Sequence, residues 1–270
     1  MTDFSGPQII PHLESNVDLT LFDCGWVPSS NRFVAMGSKL TGEGVLQVYA
    51  MSPKELQKQG MPATRPKAIK CGTFGASSLE DRHLATGDFG GQLNLWDLER
   101  LSEPVVSIQA HDDFINAIDG VAGLGVGRGA PEIATASRDG TVKVWDIRVK
   151  ERPVACMKPR EGEKNQDAWA VAFGDCHSES SRMLVSGYDN GDVKMFDLKN
   201  MKLYWERAMP NGVCSVQFDR KDIEMNKLLV TGLEGKFHVF DLRTFHPTKG
   251  FAEVSQKVDK TTLWLSLIHI

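Results

Sequence analysis

The densest candidate for chemistry is "GVAGLGVGRGAP" at residues 120–131, with glycine at 120, 123, 125, 127 and 129. Its "GVGRGA" core fits the G-x-G-x-x-A form of a dinucleotide-binding fingerprint. That motif works between a strand and a helix, because the helix N-terminus supplies the amides and dipole that hold a pyrophosphate. Here Pro131 follows, then "EIATAS", a strand that feeds an Asp139-Gly140 turn. The segment is therefore expected to be a flexible connection between two strands. The chain contains no G-x-x-x-x-G-K-[ST] sequence.

The other reactive residue types are also badly spaced for catalysis. The seven histidines form no H-E-x-x-H pair for zinc. Cys24, Cys71, Cys156, Cys176 and Cys214 are odd in number and far apart, which fits neither a disulfide framework nor a metal knuckle. Cys24, Cys71 and Cys214 sit in short apolar runs, where a thiol is expected to pack as a small buried hydrophobe. Asp139, Asp146, Asp197 and Asp241 recur at turns and strand ends, a regularity that points to architecture. There is no G-x-S-x-G nucleophile elbow. The expectation is a protein that is not an enzyme and has no cofactor and no metal.

The bulk composition narrows the partners. The chain has 270 residues, 41% hydrophobic and 24% charged, with a net charge of −4, so no basic excess draws it to nucleic acid or anionic lipid. Its start, "MTDFSGPQIIPHL", lacks the basic and apolar regions of a signal peptide, and no apolar run reaches the roughly 18 residues of a membrane span. A cytoplasmic protein that binds neither membrane nor nucleic acid is expected.

What must position all these residues is a repeat. Five segments share one ending: "GEGVLQVYAM", "FGGQLNLWDL", "RDGTVKVWDI", "DNGDVKMFDL" and "LEGKFHVFDL". Their anchor aromatics are Tyr49, Trp96, Trp145, Phe196 and Phe240, at intervals of 44 to 51 residues. A glycine precedes each by five residues (Gly44, Gly91, Gly140, Gly191 and Gly235), as a tight hairpin turn with positive φ requires. Strand-like runs precede each turn, such as "HLATG" and "MLVSG", and a third precedes those, such as "AWAVAF" and "GVCSVQF". Each unit is thus a small antiparallel sheet that cannot bury both faces alone, and stacking the units side by side is the β-propeller solution.

The period and the Trp-Asp endings resemble the WD-repeat family. By that resemblance the best-preserved unit carries the family's structural tetrad as His111, Thr135, Asp139 and Trp145, while the other units are degenerate. "IKCGTFGASS", "INAIDGVAGLGVGRGAPEI", "NGVCSVQFDRKDIEMNKLL" and "LEGKFHVFDLRTFHPTKGFA" further resemble the Monad-like subfamily, the dynein axonemal assembly factors. The resemblance implies an all-β, seven-bladed WD-repeat propeller, with a strand near "PQIIPHL" completing the last blade. About five four-stranded blades are legible, so a partial propeller over 1–262, an atypical tail at 263–270 and an incomplete ring are expected. It also implies a non-catalytic scaffold in cytoplasmic pre-assembly of axonemal dynein heavy chains. The implied partners are RuvB-like ATPases and prefoldin-like subunits, with a weaker link to apoptosis.

Partner contacts are expected at the turn residues seven before the anchor, Phe89, Arg138, Asp189 and Leu233, joined by Trp169, because exposed aromatics and arginine are common hot-spot types. "WDIR" and "FDLR" also resemble the W-D-x-R signature of substrate receptors for cullin-type ubiquitin ligases. On that alternative Arg148 and Arg243 would dock an adaptor; otherwise they are solvated residues after a strand.

Overall fold

A computed structural model describes residues 13–149, 151–159, 162, 164–258 and 262–263. The first sheet is β1 (Thr20–Trp26), β2 (Arg32–Ser38), β3 (Gly44–Met51) and β4 (Leu56–Arg65). The second is β5 (Ile69–Thr73), β6 (Leu84–Asp88), β7 (Gln92–Trp96) and β8 (Val106–Gln109). The third is β9 (Ile115–Val121), β10 (Glu132–Ser137), β11 (Val142–Asp146) and β12 (Ala155–Met157). The fourth is β13 (Ala168–Gly174), β14 (Met183–Tyr188), β15 (Asp192–Asp197) and β16 (Lys202–Ala208). The fifth is β17 (Val213–Phe218), β18 (Lys227–Gly232), β19 (Lys236–His246) and β20 (Gly250–Lys257). All five are antiparallel meanders with strands in sequence order.

The first strands β1, β5, β9, β13 and β17 are successive neighbours, so the sheets stand as blades with their fourth strands outermost. Four core clusters among the described residues lie between consecutive blades. One joins Cys71, Ala85 and Leu93 of the second to Ile115, Ile133 and Trp145 of the third. This sandwiching explains why β6 and β14 are buried along their whole length without alternation, whereas outer strands such as β4 and β16 are largely exposed. The strand near "PQIIPHL" lies outside the described residues except for Leu13, and the tail at 263–270 does so except for Leu263.

Two expectations are corrected. Cys71 and Cys214 are buried, but Cys24 is exposed. A Cβ on Gly25 would point at Phe74 and Val34 in the core, so strand alternation turns Cys24 and Trp26 to the opposite face. In the first blade the positive-φ turn glycine is Gly42, with φ of 88°, and Gly44 already belongs to β3. Gly44 is required by close approach, since a Cβ there would stand 2.1 Å from the Lys67 carbonyl oxygen. The same crossing recurs at Gly91 and Gly191, where a Cβ would stand 2.3 and 2.4 Å from the carbonyl oxygens of His111 and Met209. At these two positions the turn needs glycine twice over, for its φ of 76° and 94° and for the strand that passes above it.

Candidate functional site

The glycine segment 120–131 joins β9 to β10, and a strand follows it where a nucleotide fingerprint needs a helix. It is not the flexible connection expected. Gly123 donates to the Gly75 carbonyl at 2.9 Å and Leu124 to Ser77 at 2.7 Å, both in the second blade. Arg128 donates to Cys176 at 2.8 Å in the fourth, and Cys176 in turn donates to Lys221 at 2.7 Å in the fifth. Arg182 of the fourth blade adds donors to Ala130 at 3.0 Å and to Arg128 and Glu132. The loops between first and second strands thus form a hydrogen-bonded belt across four blades. Side chains would block it: a Cβ on Gly75 would stand 2.3 Å from the Gly120 oxygen, and one on Gly123 would stand 2.3 Å from the Ser77 oxygen.

At the opposite end, His111 enters the third blade from the loop before β9. Trp145 Nε1 donates to Thr135 Oγ1 at 3.0 Å, and Thr135 Oγ1 lies 2.7 Å from His111 Nε2. His111 Nδ1 lies 2.9 Å from Asp139 Oδ2, which also accepts from the Asp112 amide at 3.2 Å. Asp139 Oδ1 takes the Thr141 amide and hydroxyl at 2.8 and 2.6 Å. One tautomer satisfies every member: Trp145 to Thr135, Thr135 hydroxyl to a neutral Nε2, and Nδ1–H to the carboxylate. Burial holds the His111 pKa below its usual value, outweighing the attraction of Asp139. Burial also works against the Asp139 charge, but the bonds from His111 and Thr141 together hold its carboxyl well below the usual range.

This network carries an acid sensitivity. Because His111 stays neutral in the fold, proton uptake below about pH 6.5 favours the unfolded chain, so the stability it contributes is present above that pH and lost below it. The loss is expected to reach about 1.4 kcal/mol per pH unit, while Asp139 acts only below about pH 4. Denaturant midpoints at about pH 7.5 and about pH 5 check this, with His111→Gln flattening the difference. An equal drop in both proteins would assign the sensitivity to another group.

The remaining blades show how the network decays. In the second, Trp96 Nε1 donates to Thr86 Oγ1 at 2.9 Å, both fully buried, and Arg65 takes the place before the inner strand and donates to Gln92 at 2.9 Å. This half-network was missed in the sequence, although Thr86 precedes Trp96 by the same interval that separates Thr135 from Trp145. In the fifth, the equivalent positions are Met209, Val230 and Phe240, which share one apolar core. Packing replaces polarity there outright.

The turn residues gather at the end of the blades that carries the β6–β7 and β10–β11 turns. Phe89 stacks on Phe114 with ring centroids 4.5 Å apart and tilts against Phe22 at 5.3 Å. Arg138 lies 5.3 Å from the Phe114 centroid and donates its amide to the Phe114 carbonyl at 2.9 Å. Asp189 donates its amide to Asp167 at 3.0 Å. Trp169 and Leu233 converge on Gly212, where a Cβ would meet them at 2.9 and 3.1 Å.

Phe22, Lys70, Asn116, Trp169 and Cys214 occupy the register shifts of β1, β5, β9, β13 and β17, so a bulge recurs at every inner strand and re-aims one side chain. Lys70 Nζ donates to Asn116 at 2.7 Å and lies 5.9 Å from the Phe89 centroid. Of these five, only Trp169 was singled out in the sequence as a contact residue; the signal for the rest is their common place, second or third in each inner strand.

The two motif arginines are exposed and each pairs with the aspartate of its own motif. Arg148 forks onto Asp146 of its own motif at 2.6 to 3.1 Å, and Arg243 faces Asp241 at 3.3 and 3.4 Å. Among the described residues no group of three or more His, Cys, Asp or Glu could hold a metal ion, and no helix is long and apolar enough to cross a membrane.

The WD domain, G-beta repeat family matches residues 102–146, the span that holds the whole polar network of the third blade. The chain is 57% identical to a Homo sapiens protein named dynein axonemal assembly factor 10, over 98% of this chain and 74% of that protein. Proteins of the same name from Xenopus laevis and Chlamydomonas reinhardtii are 59% and 51% identical, each over 96% of this chain and 72% of theirs.

Proposed function

This chain belongs to the dynein axonemal assembly factor 10 family of WD-repeat proteins, and from that membership we propose that it is a non-catalytic scaffold in the cytoplasmic pre-assembly of axonemal dynein. Its clients are the dynein heavy chains, and its co-workers are a chaperone complex of RuvB-like ATPases and prefoldin-like subunits. The observation that carries this reading is identity of 51–59% along 96–98% of the chain. The physics agrees. Interlocked blades form a rigid frame, and rigid frames that display turns bind large partners without paying to order themselves.

The docking face is the end that presents Phe89, Trp169 and their neighbours. Half-buried aromatics on a rigid support concentrate binding energy, with losses of about 2 kcal/mol or more on truncation. The test is affinity capture with the tagged chain from the cytoplasmic extract of ciliating cells, blotted for heavy chain and RuvB-like ATPase. Recovery is expected to fall by about thirtyfold or more for Phe89→Ala with Trp169→Ala, at an unchanged thermal midpoint. Undiminished capture would move the docking face elsewhere, and capture of neither protein by the unaltered chain would remove the proposal.

A further inference from the structure

The docking face has a charge pattern that specifies what it receives. Arg138 Nε lies 3.9 Å from Asp113 and 3.7 Å from Asp167, near enough for attraction but too far for hydrogen bonds. Its side chain is half exposed, so these contacts hold it weakly. Lys70 donates to Asn116, and its charge also attracts Asp167, which leaves three carboxylates against two cations. Asp189 brings a third carboxylate beside Asp167, and its Oδ1 is buried with no hydrogen-bond partner among the described residues. Burial first, and then the neighbouring Asp189 charge, raise the Asp167 pKa, as expected where negative charge is in excess. A buried carboxylate oxygen without a donor is costly, so this acidic pair is not satisfied from within the fold.

Beside these carboxylates runs an apolar step, Phe89 stacked on Phe114 with Phe22 against it. Arg138 covers one end of this step while facing the carboxylates, so it sits where a ligand's cation would satisfy both.

We infer that Arg138 holds the place of a partner's basic side chain, and that this face binds an extended peptide segment presenting an arginine or lysine beside a large apolar residue. The basic head group goes to Asp167 and Asp189, and the apolar side chain goes to the Phe89–Phe114 step. This rests on the reading of that end as the docking face, and it adds the chemistry of the partner segment. It also reverses the role of Arg138, from contact residue to one that the partner displaces.

Fluorescein-labelled nine-residue peptides with a Gly-Ser background and a central Phe-Arg, Phe-Gln, Phe-Glu or Ala-Arg pair test this by fluorescence anisotropy. The Phe-Arg peptide is expected to bind at least about tenfold tighter than the Phe-Gln peptide, as the loss of a charge-assisted contact implies. Phe-Glu and Ala-Arg should bind more weakly than Phe-Arg. Asp189→Asn and Asp167→Asn, each checked for an unchanged thermal midpoint, should weaken Phe-Arg by about fivefold, and Arg138→Ala should tighten it by about threefold.

Equal binding of Phe-Gln or Phe-Glu, weakening by Arg138→Ala, or no binding of any peptide at millimolar concentration overturns the inference. If Phe89→Ala with Trp169→Ala abolishes capture of the assembly partners while the peptides show no preference for arginine, the docking reading stands and this inference falls. If the peptides discriminate but capture ignores the docking-face variants, the peptide site stands and the reading of that end as the face that docks the assembly partners falls.

Discussion

Gly123→Ala is expected to lower the thermal midpoint by roughly 6–12 °C, although the residue lies on a surface loop. The added Cβ would stand 2.3 Å from the Ser77 oxygen and 2.4 Å from the Ser77 nitrogen. No rotamer relieves a clash between a Cβ and backbone, so the second and third blades must separate locally. That breaks the Gly123–Gly75 and Leu124–Ser77 hydrogen bonds. Overpacking of this kind costs about 3 kcal/mol, and at this chain length each kcal/mol moves the midpoint by roughly 2–4 °C. Gly125 is the control within the same loop: its φ is 71°, but a Cβ there meets nothing within 4 Å. Gly125→Ala carries only the left-handed backbone cost of about 1–2 kcal/mol, and Gly125→Asn carries less. Calorimetry on both variants decides the matter; a Gly123→Ala protein as stable as Gly125→Asn would show that the belt does not clamp the blades.

Thr135→Val is expected to cost about 3 kcal/mol, as much as a core truncation, despite preserving side-chain shape. The hydroxyl serves both Trp145 Nε1 and His111 Nε2, and its loss strands two fully buried polar groups. Each stranded group costs about 1–3 kcal/mol. The equivalent Thr86→Val in the second blade strands one donor, Trp96 Nε1, and should cost about half as much. A double-mutant cycle separates network from volume. Trp145→Phe removes the donor that Thr135→Val would strand, so the double variant should be at least about 1 kcal/mol more stable than the summed losses predict. Strict additivity would mean that Thr135 contributes by packing alone. The fifth blade already embodies the compensated state, with Met209, Val230 and Phe240 in one core.

Much of the architecture was written locally. The turn glycines, the β-branched runs after them and the 44 to 51 residue spacing are properties of neighbouring residues, and each blade is a local meander. The members of the third blade's network were supplied by the resemblance to WD-repeat proteins, and one hairpin and one loop entry bring them together. Even the five inner-strand bulges had a sequence signal, once the strands were aligned by their repeat.

Contacts between blades were not legible, and they decide the rest. The glycine segment 120–131 read as a flexible connection because nothing nearby in sequence shows what approaches it. Only packing brings Gly75, Ser77 and Cys176 against it, from some 45 residues upstream and 50 downstream. The exposure of Cys24 has the same origin, since strand alternation gives two faces but not which one a neighbour covers. So does the docking face. Phe89, Arg138 and Asp189 were singled out by their turn positions, yet their chemistry comes from Phe114, Asp113 and Asp167, which arrive on the loops that enter the same blade or the following one. Sequence determined the unit and its repetition, because hydrogen bonding and turn geometry act over a few residues. Tertiary structure decided which units' side chains meet, because burial is a property of surfaces brought together.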